Sequence, residues 1–147
     1  MSIILGKSTK TGEMPTMPGQ SNPNLAIQER FIAAVFAGER ATIEALAAPE
    51  FELHEGSGLP FAGVYKGASG FMEFLDTFMA TFDIEQLAPV RTYGAADPDF
   101  LACEFDLRAT VRATGERFES TLVELWSFRD GQVVSIKPHY FNALAQR

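Results

Sequence analysis

The stretch FLACEFDLRATVRATGERFESTLVELWSFRDGQVVSIKPHYF, residues 100–141, decides the fold. Its apolar residues recur at every second position, the spacing of strands with one face buried. Over residues 100–113, Leu101, Cys103, Phe105, Leu107, Ala109 and Val111 share one face. Glu104, Asp106, Arg108 and Arg112 share the other. Thr114-Gly115 turns the chain back into a strand over residues 117–128. Asp130-Gly131 is a two-residue hairpin turn into a last strand over 132–141. Consecutive strands joined by short turns make an antiparallel meander.

Upstream, one more strand is expected over residues 84–93, with Pro89 marking an edge or a bulge. Asp97-Pro98-Asp99 is the turn that follows it. Before residue 83 the period is helical. Phe71, Phe74, Leu75, Phe78, Met79 and Phe82 fit one face of a helix. A first helix starts at Asn22 with Pro23 in its first turn, carries Ile27, Phe31, Ile32 and Val35, and ends at Gly38. A short second helix runs from about Arg40 to Ala48, and Pro49 closes it. Between these helices and the third lie a strand ending FELHE (51–55) and a Gly-rich connection, GSGLPFAGVYKG (56–67).

Helices segregated from a meander mean an α+β domain. The expected architecture is a curved antiparallel sheet with about three N-terminal helices on one face and a pocket between the layers. Residues 1–22 lack periodicity and read as a flexible arm, and residues 23–147 read as a single domain.

Composition narrows the function classes. The net charge is −7 with no basic cluster, which argues against nucleic acid and anionic membrane as partners. No apolar run is long enough to span a bilayer. The one cysteine, Cys103, allows no intramolecular disulfide and suits a reducing, cytoplasmic setting. Thirteen Phe against one Trp and three Tyr point to a core or cavity wall rich in rings with few polar tips. Two histidines, His54 and His139, lack metal-ligand spacing, so no metal is expected.

Two carboxylates fall on apolar faces. Phe51, Leu53 and Glu55 point one way on the first strand. On the strand over 117–128, Glu124 sits between Leu122 and Trp126 on the face shared with Phe118 and Phe128. Glu is among the residues least often buried without a partner. If both faces line one cavity, desolvation raises both pKa values and mutual repulsion keeps one proton on the pair. A general base and a hydrogen-bond donor then occupy one site. The alternatives are solvent for Glu55, at a strand end, and an ion pair for Glu124 with Arg91, Arg108 or Lys137.

The segments FIAAVFAGERATIEALAAPEFELHE (31–55), FAGVYKGASGFMEFL (61–75) and LVELWSFRDGQVVSIKPHYF (122–141) resemble the NTF2-like superfamily, which includes SnoaL-like cyclases and ketosteroid isomerases. The resemblance covers about residues 24–142. It implies a cystatin-like sheet with a conical pocket and a homodimer through the outer face of the sheet. It also implies a cofactor-free isomerase, cyclase or dehydratase acting on an apolar carbonyl compound. Glu55 falls where ketosteroid isomerases have their aspartate base, and Glu124 where they have a protonated aspartate donor. Phe31 falls at the oxyanion tyrosine, and phenylalanine cannot donate a hydrogen bond. The expected catalytic pair is Glu55, as base, and Glu124, as donor. The expected wall for a small apolar ligand is Phe31, Phe71, Leu75, Trp126, Ile136 and Tyr140. A non-catalytic ligand carrier and an NTF2-like interaction module are the other readings.

Overall fold

Asn22 opens α1 (Pro23–Ala37) as expected: its side chain accepts the Asn24 backbone N–H at 2.9 Å. Gly38, at φ 71°, closes the helix in the left-handed conformation. The computed structural model describes residues 22–144, so residues 1–21 of the expected arm lie outside the described residues. After α1 come α2 (Arg40–Leu46), β1 (Ala47–Glu55), β2 (Gly63–Lys66) and α3 (Gly67–Thr81). Then follow β3 (Phe82–Gly94), β4 (Phe100–Val111), β5 (Arg117–Arg129) and β6 (Gln132–Tyr140).

The strands form one sheet in the order β2-β1-β6-β5-β4-β3. β3 to β6 are the expected meander. Asp130 and Gly131 have φ of 51° and 77°, as the two-residue turn between β5 and β6 requires. β1 inserts between β2 and β6 and runs parallel to β6, so the antiparallel sheet carries one parallel pair. A parallel neighbour needs a long crossover, and here α3, β3, β4 and β5 supply it. β3 is an edge strand with a register shift between Pro89 and Arg91. Further shifts lie between Ser127 and Phe128 and between Ala47 and Glu52. Bulges bend strands, and the helices lie on the concave face.

Three local expectations change. Pro49 does not end α2; that helix stops at Leu46 and Pro49 lies within β1. Second, the Gly-rich connection contains β2, which pairs Glu55 with Gly63 and Glu52 with Lys66. α3 packs closely on this strand: a Cβ on Gly70 would meet the Tyr65 carbonyl carbon at 3.0 Å. Third, α1 is rotated from its apolar stripe. It buries Asn24, Gln28, Phe31 and Ala34, while Ile27, Ile32 and Val35 are only partly buried. The cause is polar docking on the β3–β4 region. The Asn24 amide donates to the Pro98 carbonyl at 2.8 Å, and Thr92 Oγ1 donates to Gln28 Oε1 at 3.2 Å.

The core between the layers is largely phenylalanine. Phe61, which precedes β2, has ring centroids 5.6 Å from Phe74, 5.5 Å from Phe78 and 6.0 Å from Phe82. Among the described residues no helix is long and apolar enough to cross a membrane.

Candidate active site

β1 and β5 carry their glutamates to the concave side of the sheet because the alternation of each strand holds to its end. Phe51, Leu53 and Glu55 are buried, and Glu52 and His54 face away, joined to each other at 3.0 Å. Phe118, Ser120, Leu122, Trp126 and Phe128 are buried along β5, and Glu124 lies among them. One cavity lies beneath α1 and α3. Glu55, Glu124, Phe31, Phe71, Leu75, Trp126, Ile136 and Tyr140 all line it. Phe74, Phe78, Leu87, Phe105 and Leu122 complete much of the wall. Parity already placed Phe105 and Leu122 on this face, and α3 periodicity placed Phe74 and Phe78.

The solvent reading for Glu55 fails: only 6% of the residue is exposed, although it ends its strand. β2, unforeseen from the sequence, pairs with that end of the strand, and the side chain itself faces the cavity beneath α1 and α3. Neither Glu55 oxygen has a hydrogen-bond partner. Glu124 Oε1 accepts the Trp126 indole N–H at 3.1 Å. Among the described residues neither carboxylate takes part in an ion pair, so Arg91, Arg108 and Lys137 do not neutralise Glu124.

Burial pushes the Glu55 carboxyl up to about 9, and repulsion from Glu124 adds to it. Burial also pushes Glu124 up, to about 7, while the Trp126 N–H pulls the other way by favouring the charged form. Glu124 keeps some accessible surface because it faces the cavity, but its surroundings are apolar. Between about pH 7 and pH 9 the pair therefore holds one proton, and Glu55 is the better place for it. Tyr140 is the third polar group of the wall. Burial and the charges of Glu55 and Glu124 keep its phenol protonated far above neutrality. Its hydroxyl makes no hydrogen bond within the described residues. Sequence reasoning counted Tyr140 only as wall; its position two residues beyond Pro138 on the inward parity of β6 was the available signal.

Space in the cavity is limited. About 80 Å³ is open to the centres of water molecules. That is roughly half of an apolar cavity of ~150 Å³ that admits benzene. Among the described residues no three His, Cys, Asp or Glu side chains group as a metal site would need.

Residues 28–136 match the model of the SnoaL-like domain. The chain belongs to the SnoaL-like family. Its fold is that of the NTF2-like superfamily. An NTF2-like protein from Burkholderia xenovorans LB400 superposes with a TM-score of 0.73 at 21% identity, over 82% of this chain and 91% of that one. A Jannaschia sp. CCS1 protein assigned as a SnoaL-like polyketide cyclase gives 0.70 at 14% identity, over 87% and 92%. A Mycobacterium tuberculosis protein in complex with estradiol-17beta-hemisuccinate gives 0.64 at 19% identity, over 81% and 94%. Identities this low establish a shared fold only. No curated protein matches the chain. SnoaL-like membership places the chain in a family of small-molecule binding proteins and of cyclase- or isomerase-type enzymes.

Proposed function

We propose that the chain is a cofactor-free acid/base enzyme that moves a proton beside the carbonyl of a small apolar substrate. The observation that carries this reading is the carboxyl pair. Two glutamates outside any ion pair share one apolar cavity and hold one proton between about pH 7 and pH 9. Glu124 is the base, because its ionised form gains the Trp126 hydrogen bond. Glu55 is the protonated donor, because its oxygens have nothing to stabilise a charge. These roles reverse the assignment expected from the sequence. Strand parity gave the two positions, but depth and hydrogen bonding divide the work between them. Phe31, Phe71, Leu75, Trp126 and Ile136 form the apolar walls that exclude water. The complex of the Mycobacterium tuberculosis structural neighbour with estradiol-17beta-hemisuccinate supports a small-molecule site in this fold, although the volume here suits a smaller reacting group.

The test is solvent deuterium uptake beside the carbonyl of a panel of small enolisable ketones, followed by proton NMR. The expected result is uptake with at least one ketone, reduced about 10²–10⁴-fold by Glu124→Gln, the range for removing a positioned base. Equal rates in the wild type and Glu124→Gln would contradict the mechanism. If ketones bind without exchanging, the cavity is a carrier site instead.

A further inference from the structure

A second space adjoins the cavity. It is a groove of about 600 Å³ between the end of α1, α2 and α3, lined by Arg40, Asp76, Met72, Met79 and Arg112 among others. Val35 and Leu75 line both spaces, so a partition of two aliphatic side chains separates them. Its lining joins apolar side chains to two arginines and one aspartate. Asp76 offsets one of the two arginines and leaves a net positive charge, in a chain whose total is −7.

Three arginines of the described residues are paired with carboxylates. Arg91 meets Glu104, Arg117 meets Glu85 and Glu119, and Arg129 meets Glu50. Arg40 and Arg112, like Arg30 and Arg108, make no ion pair among the described residues, but only these two line the groove. Arg40 sits in the first turn of α2, where the helix dipole gives a cation no benefit. Arg112 is held in place. Its Nε donates to the Met79 carbonyl at 3.0 Å, and its backbone N–H donates to the Thr81 carbonyl at 2.9 Å. Anchoring through Nε leaves both terminal nitrogens without a carboxylate, and they are the pair that grips an oxyanion side by side.

We propose that the groove receives the anionic end of an elongated ligand whose apolar end passes between Val35 and Leu75 into the cavity. The inference rests on the reading of the cavity as a ligand site, and it sets the ligand class: an apolar chain or ring system ending in a carboxylate or phosphate. The small inner volume then holds only the reacting end, and the groove holds the rest. Shape and charge point the same way, because the inner cavity presents two carboxyl groups and favours the uncharged end.

The test uses octanoate and octan-1-ol as matched probes, titrated into the full chain while the fluorescence of Trp126, the one tryptophan, is followed. Octanoate should bind about tenfold more tightly than octanol at low salt, the sum expected of two exposed charge pairs. The double variant Arg40→Gln/Arg112→Gln should lose that preference and keep its octanol affinity. The preference should also shrink near 1 M salt, where screening acts within about 3 Å. Equal binding of the two probes, or a preference that survives in the double variant, overturns the groove and leaves the cavity reading standing. Failure of both probes to perturb Trp126 overturns both.

Discussion

At about pH 8.5, Glu55→Gln melts on the order of 10 °C above the wild type, whereas near pH 4.5 the two melt together. The reason is proton linkage. In the folded chain Glu55 titrates at about 9, while the unfolded value is near 4.5. The folded state therefore keeps a proton that the unfolded state releases. Whatever stability depends on that carboxyl is fully present below pH 4.5 and is lost as pH rises toward 9. Glu124 adds the same trend over a narrower window that ends near 7. Glutamine keeps the shape and has no proton to lose, so the variant escapes the decline due to Glu55. Differential scanning fluorimetry from pH 4 to pH 9 measures the effect. Parallel melting curves for wild type and variant across that range would show that Glu55 titrates as an ordinary carboxyl.

Phe61→Ala should cost about 3–5 kcal/mol in urea unfolding, the range for emptying a fully buried ring site. Phe61 is 1% exposed and its ring meets Phe74, Phe78, Phe82 and Tyr140. It joins the segment before β2 to α3 and to the last strand. A cost below about 1 kcal/mol would mean that the ring is not part of the packed core.

The residues that announce themselves in the sequence are those governed by local periodicity. The alternation of β4 and β5, the Asp130-Gly131 turn and the Asn22 cap depend on neighbours a few positions away, and each is found where it was expected. The inward direction of Glu55 and Glu124 belongs to the same class, since parity alone sets it. What the sequence conceals depends on distant partners. β2 is short and mostly exposed, with no alternation of its own, and exists because β1 offers it an edge. Gln28 is buried on α1 because Thr92, 64 positions away, meets it. Likewise, the proposed division of roles between the glutamates rests on the depth of Glu55 and the Trp126 N–H. Arg40 and Arg112 come from segments far apart in the chain and line one groove only after folding.

The central claim is that the cavity carboxyls hold one proton between about pH 7 and pH 9. A carbon-13 NMR titration of glutamate side-chain carboxyls tests it most directly, with Glu55→Gln and Glu124→Gln used to assign the signals. The account predicts two carboxyls that stay protonated well above pH 4.5, the later of them titrating near 9 and missing in Glu55→Gln, the earlier near 7 and missing in Glu124→Gln. If every glutamate has finished ionising by about pH 5.5, as unperturbed carboxyls do, the cavity holds no proton to donate and the proposed chemistry has no acid.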